Sequence, residues 1–349
     1  MSDPLPAPRR VKYVRLGNSG LKVSQIILGC MSYGSKQWAP WVLDEEEATK
    51  HIKFAYDAGI QTFDTANIYS NGLSEVVLGN AIKTLQLPRE EIVVMTKVSG
   101  AVGKTPGTSS MELFMAGPDN VGYVNQHGLS RKHIFDSVKA SLTRLQLEYI
   151  DVLQVHRFDY GTPVSETMHA LHDVVQAGYV RYIGMSSCYA WQYYALTHNL
   201  TAFISMQNQY SLAHREEERE MLPTLKHFGV GSIPWSPLAR GALARPYSVP
   251  DATMNTARQG SDEIAPDATS SSARGTRPVE EIAKKHNASM AQVALAWVMA
   301  KDEVSAPIVG TTSLDKLEDL IGAIDVTLSA EEMKYLEEPY TPMDVMAYW

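Results

Sequence analysis

The sequence predicts a closed (β/α)8 barrel, and three observations carry that prediction. Short apolar runs recur eight times along the 349 residues, the mark of parallel strands covered on both faces. Amphipathic stretches with helix-capping residues separate the runs, so the chain reads as repeated strand–helix units. Asp64, Lys97 and His156 close successive runs, and a parallel barrel of the TIM type gathers its chemistry at the carboxyl ends of its strands.

Taken in order, residues 12–24 (KYVRLGNSGLKVS) alternate around Asn18-Ser19-Gly20 and predict a β-hairpin that plugs one end of the barrel. The barrel strands follow as QIILG (25–29), QTFDT (61–65), EIVVMTK (91–97), IDVLQVH (150–156), RYIGMSS (181–187), FISMQNQ (203–209), GVGSIPWS (229–236) and SAPIVGT (305–311). Asp44, with Glu47 three residues later, predicts a helix N-terminus rather than an acidic binding patch, and Gly59 its left-handed end. Phe135, Val138, Leu142 and Leu145 form a stripe at helical spacing that belongs to the core. Pro163 and Gly178 bracket the next helix, while Ser289/Gln292 and Ser329/Glu332 predict two capping boxes. Two long segments, 98–129 and 245–276, lack strong periodicity; both follow strand ends, so they are placed over the site as lids or binding loops. The chain is read as one domain over 1–349 with a flexible tail at 1–10.

Composition narrows the function. With 44% hydrophobic and 20% charged residues and no apolar stretch of about 18 residues, the chain reads as globular and not as membrane-spanning. A formal charge of −8 argues against a nucleic-acid partner. Cys30 and Cys188 lack metal-ligand spacing and read as packing residues of a reducing compartment. The start MSDPLPAPRR has no apolar core of a secretory signal, so the cytoplasm is the expected location. Assembly is left open between a monomer and a modest homo-oligomer.

The segment TFDTANIYSNG puts Asp64 and Tyr69 at one strand end, with Lys97 and His156 closing the next two strands. A phenol is a poor acid near neutral pH unless a nearby cation favours its anion, and Lys97 supplies that charge. Asp64 holds the ammonium as an ion pair, and His156 orients a carbonyl oxygen by hydrogen bonding. The set fits proton delivery to a carbonyl, with no activated Ser or Cys nucleophile and no metal signature beside it. Carbonyl reduction needs a hydride, hence a nicotinamide cofactor. No GxGxxG follows the first strand; the phosphate-binding candidates are instead Trp235-Ser236-Pro237-Leu238 after strand seven and Gly310-Thr311-Thr312-Ser313 after strand eight. There Gly310 permits close backbone approach, Thr312 and Lys316 lie near a positive helix terminus, and Trp235 offers a flat ring for stacking.

On these residues the chain resembles the aldo-keto reductases, from the hairpin near Tyr13 to the helix near Leu336. Asp64, Tyr69, Lys97 and His156 coincide with that family's catalytic tetrad. GMSS at 184–187 resembles its fifth-strand motif, which implies that Ser186 and Ser187 hold the cofactor carboxamide, Ser187 standing where the family has asparagine. Gln207 matches the sixth-strand carboxamide partner and Trp235 the stacking aromatic. WSPLARG (235–241), with Ser236, Pro237, Leu238, Arg240 and Gly241, and GTTSLDKLED (310–319), with Gly310, Thr312, Lys316 and Asp319, resemble the pyrophosphate- and adenosine-binding segments. Met31 and Asp64 join the implied cofactor contacts. The cofactor implied is NADP (NADPH), with NAD also open, and Leu320 stands where asparagine is common. CMSYGSKQWAPW with DTANIYSNG is most similar to the fungal aryl-alcohol-dehydrogenase-like and versiconal hemiacetal acetate reductase-like branch. That branch implies small-molecule aryl or polyketide-type carbonyl substrates, lined by Tyr33, Trp38 and Trp41. The resemblance extends to potassium-channel beta subunits, so a nucleotide-binding regulatory subunit is the alternative.

Overall fold

The computed structural model describes residues 10–187, 192–246 and 272–343. The tail expected over 1–9, Cys188 and most of the second long segment, 247–271, lie outside the described residues.

The hairpin forms as expected, with β1 (Tyr13–Arg15) antiparallel to β2 (Lys22–Ser24). The barrel strands are β3 (Ile27–Gly29), β4 (Thr62–Asp64), β5 (Val93–Val98), β6 (Ile150–Val155), β7 (Val180–Ser186), β8 (Phe203–Gln207), β9 (Gly231–Ser232) and β10 (Ile308–Val309). They form one eight-stranded parallel sheet in the order β10-β3-β4-β5-β6-β7-β8-β9. Backbone bonds then join its two ends: Ser305 N–H donates to Ser232 O at 2.8 Å and Ile308 N–H to Pro234 O at 2.9 Å. The sheet closes on itself as the periodicity predicted.

β9 and β10 are much shorter than the apolar runs that announced them. Pro234 and Pro307 sit inside those runs, and proline brings no N–H to a ladder. The helices follow their strands: α1 (Glu45–Asp57), α2 (Leu73–Thr84), α3 (Ser110–Ala116), α4 (Arg131–Leu145), α5 (Val164–Gln176), α6 (Gln192–Thr197), α7 (Met221–Phe228), α8 (Ser272–His286), α9 (Met290–Met299), α10 (Leu314–Ile321) and α11 (Ala330–Glu337). Asp44 accepts from Glu47 N, and both predicted capping boxes are present, at Ser289/Gln292 and Ser329/Glu332. Segment 98–129, predicted as an irregular loop, contains α3 and a 3-10 turn at Pro118–Val121. α3 buries none of its residues, so no core-facing stripe marked it in the sequence.

Inside the barrel Ile27, Val93, Met95, Val152, Ile233 and Ile308 pack with Leu16 and Val23 of the hairpin, which seals that end. The outer core lies between sheet and helices, where Val138 and Leu145 are fully buried and Phe135 and Leu142 pack against them. α2 and α4 meet at Gly79, where an added Cβ would stand 2.5 Å from Leu145 O. Gly79→Ala would gain about 1 kcal/mol of helix propensity. The obstacle is backbone, however, and overpacking of this kind costs about 1–3 kcal/mol. We expect Gly79→Ala to lower the urea midpoint; a raised midpoint would show that the helices part easily.

Candidate active site

β4 delivers Asp64 and β5 delivers Lys97, both buried, to the same end of the barrel. Lys97 Nζ donates to Asp64 Oδ2 at 2.5 Å, to Thr65 O at 2.8 Å and to Tyr69 Oη at 3.3 Å. Tyr69 is half-buried and opens a 3-10 turn, after which Ser70 (φ 47°), Asn71 (φ 53°) and Gly72 (φ 91°) all take left-handed angles. That reversal is held by Asn71, whose Nδ2 donates to Thr105 O, Pro106 O and Thr108 O while its Oδ1 accepts from Gly103 N. The base of segment 98–129 is thus fastened two residues from the phenol. His156 follows β6, buried, with its ring edge-on to Tyr69 at 5.9 Å between centroids.

Charge states follow from these surroundings. Burial alone would push Lys97 to shed its proton, but the Asp64 carboxylate, with Tyr69 adding, outweighs burial and leaves its pKa above the ordinary 10.5. Burial, then the charges on Arg157 and Lys97, hold His156 well below 6.5, so its imidazole is neutral at pH 7. Burial also lowers His51 and His214, and it brings His133 down to about 4. The unfolded chain therefore takes up protons near pH 6.5 that the folded chain refuses. Stability is full above that pH and is lost as the pH falls toward 4. Urea midpoints should drop between pH 7 and pH 5, a window in which carboxylates with lowered pKa values, such as Glu216 near 2, contribute nothing. A midpoint that holds or rises would contradict neutral buried imidazoles.

Two glutamines complete the interior. Gln207 at the end of β8 donates from Nε2 to Asp64 Oδ1 at 2.9 Å, and Gln154 of β6 donates to the same oxygen at 2.7 Å. Gln154 was missed in the sequence, where its one signal is a buried-strand glutamine two residues before His156, on the same strand face. Asn71 was missed as well; its Asn-Gly pair reads only as a turn.

The remaining predicted residues lie at the end of β7 and on the segments that follow β3, β9 and β10. Ser186 is buried and its Oγ donates to Gln207 O at 2.9 Å; Ser187, at φ 46°, donates its N–H to Asn208 Oδ1 at 3.0 Å. Trp235 is half-buried beyond β9, and Met31, Trp38 and Trp41 are half-buried in the turn after β3. Pro237 is buried and Leu238 packs against the core. Gly310 lies beside the end of β3, where a Cβ would stand 3.4 Å from Gly29 O. Ser313 caps α10 by accepting from Lys316 N, Thr312 immediately precedes it, and Asp319 accepts from Ser289 Oγ at 2.7 Å. Tyr33 does not line an open pocket: it is fully buried, edge-on to His51, and packs as core.

Residues 25–340 match the aldo/keto reductase family. The chain belongs to that family. It is 47% identical over 347 residues to versiconal hemiacetal acetate reductase of Aspergillus parasiticus, covering 95% of this chain and 98% of that one. A Schizosaccharomyces pombe protein provisionally designated an aryl-alcohol dehydrogenase is 48% identical over 343 residues, covering 95% and 97%. An aldo-keto reductase of Fusarium vanettenii is 43% identical over 348 residues, covering 97% and 94%. As an aldo-keto reductase this chain is an oxidoreductase of small carbonyl compounds, and the family uses nicotinamide dinucleotides. No described helix is long and apolar enough to cross a membrane.

The rim fits such a dinucleotide on two counts. Ser236, Ala239, Arg240 and Gly241 all take left-handed angles; Ala239 and Gly241 spend their N–H groups inside this curl, on Ser236 O and Leu238 O, which among the described residues leaves the Ser236 amide to face an anion. Lys316 is exposed in the first turn of α10, at the positive end of its dipole.

Proposed function

We propose that this aldo-keto reductase reduces aryl or polyketide-type aldehydes with NADPH, and that Asp64, Tyr69, Lys97 and His156 carry the proton chemistry. The observation behind the reading is the donor order at Tyr69. Lys97 donates to the phenolic oxygen at 3.3 Å, so the phenol's own hydrogen is directed elsewhere and is available to an acceptor in the site. Bound NADPH supplies the hydride. Tyr69 passes its proton to the carbonyl oxygen as alkoxide character develops there, and the Lys97 ammonium favours the phenolate left behind. Asp64 keeps Lys97 charged and aimed. Neutral His156 donates a hydrogen bond that orients the same oxygen.

Ser186, Ser187, Gln207 and Trp235 would hold the nicotinamide. The Ser236–Gly241 curl would receive the pyrophosphate, and Gly310, Thr312, Lys316 and Asp319 would hold the adenosine end. The preference for NADPH rests on Lys316 as a partner for the additional phosphate. Trp38 and Trp41, 6.1 Å apart edge to face, offer an aromatic wall to the substrate. The names of two of the three relatives support this class of carbonyl compound, one a versiconal hemiacetal acetate reductase and one provisionally designated an aryl-alcohol dehydrogenase.

The test is oxidation of NADPH and of NADH against aliphatic, aromatic and polyketide aldehydes. Fast NADPH turnover with aromatic substrates supports the proposal. Tight NADPH binding with an inactive panel would instead favour a nucleotide-sensing role.

A further inference from the structure

We propose that Gln154 is a positioning residue that fixes the amide of Gln207 and joins the cofactor end of the site to the Asp64–Lys97 pair; this rests on the nicotinamide reading above. Gln154 is fully buried within β6. Its Nε2 donates to Asp64 Oδ1 at 2.7 Å and its Oε1 accepts from Gln207 Nε2 at 2.8 Å. Gln207 Nε2 donates to that same Asp64 oxygen at 2.9 Å. A carboxylate oxygen only accepts, so both glutamines turn their nitrogens toward Asp64 and the three distances admit one assignment of the amides. Space for the arrangement is built into β7. Gly184 lies in register with Gln154, and a Cβ there would stand 3.2 Å from Gln154 Cγ and 2.4 Å from Ser205 Oγ.

Both amide hydrogens of Gln207 are therefore committed, one to Asp64 and one to Gln154. What Gln207 still offers is its side-chain oxygen Oε1: the hydrogen bonds of the Gln207 side chain to described residues use only Nε2, and Oε1 is not among the fully buried unpartnered atoms, so a ligand can reach it. This end of the site is consequently an acceptor. It takes a ligand group that donates, such as the primary amide of nicotinamide. A methyl ketone in the same place leaves the acceptor unmade, and a carboxylate opposes it. Without Gln154 the Gln207 amide pivots on its single bond to Asp64, and the selection weakens.

Dissociation constants for NADP, its 3-acetylpyridine analogue and its nicotinic acid analogue, measured by protein fluorescence, test this. Wild type should bind the amide about tenfold or more tighter than either analogue, the usual penalty for an unmade buried hydrogen bond. Gln154→Met, which keeps the volume, should bring the three within about threefold of one another and raise KM for NADPH. Gln154→Glu should retain the selection, because a carboxyl beside Asp64 stays protonated and can donate to Asp64 while accepting from Gln207. A purely packing role gives the opposite order, with Met tolerated and Glu not. Equal binding of the three by wild type, or a Met variant with the wild-type ratio, overturns the inference alone. Failure of all three dinucleotides to bind wild type overturns the nicotinamide reading and the inference with it.

Discussion

Tyr69→Phe should reduce turnover of an aryl aldehyde by about 10²–10⁴-fold, the usual worth of a positioned general acid. The substitution removes one oxygen and its proton and leaves the ring that meets His156 edge-on at 5.9 Å. The 3-10 turn after Tyr69 is held through Asn71, not through the phenol, so the backbone has no reason to move. NADPH affinity should accordingly stay near that of wild type, while kcat carries the loss. Loss in kcat without loss in cofactor binding identifies an interaction made only as the oxygen becomes charged. A variant that keeps kcat within about threefold would remove Tyr69 from the mechanism, since general acids contribute far more than that. Loss of NADPH binding would place the phenol at the cofactor instead.

The barrel was legible because each strand is an apolar run and several of the helices between and after them carry a side-chain cap, as at Asp44, Ser130, Ser289 and Ser329. Where proline interrupted a run, the strand contracted: Pro234 and Pro307 reduce the last two strands to two-residue ladders that still close the ring. α3 was passed over because a helix that buries nothing needs no core-facing stripe, which left the capping pattern of Ser109 and Glu112 as its mark in the sequence. At the site, residues at strand ends could be read, since their chemistry stands out against an apolar strand and the topology brings such ends together. Tyr33 was misread for a related reason: an aromatic beside a strand end looks the same in sequence whether it faces a cavity or the core. The contact of Gln154 with Asp64 could not be read from its place two residues before His156, because it spans 90 residues of chain and only the register of β5 and β6 shows that Lys97 and Gln154 are neighbours.

Lys97→Met should cost about 3–5 kcal/mol of stability, the penalty for leaving one member of a buried ion pair without its partner. The Lys97 side chain is 0% exposed and that of Asp64 3%, so water cannot replace the missing charge. After the substitution Asp64 Oδ1 keeps its two amide donors, but Oδ2 loses the ammonium at 2.5 Å. Asp64→Asn should cost less. Lys97 can then discharge, because burial already favours its neutral form and only Asp64 and Tyr69 oppose that. The Asp64→Asn/Lys97→Met double variant holds no buried charge at this place, so its loss should fall short of the sum of the single losses by about 1–3 kcal/mol, as for groups in direct contact. Urea unfolding of the four proteins at pH 7 measures this, and strictly additive losses would mean that the two residues do not interact. Turnover should be lost in all three variants, the double one included. Restored stability with absent activity would show that the buried charge is retained for the proton on Tyr69, 3.3 Å from the ammonium, and not for the fold.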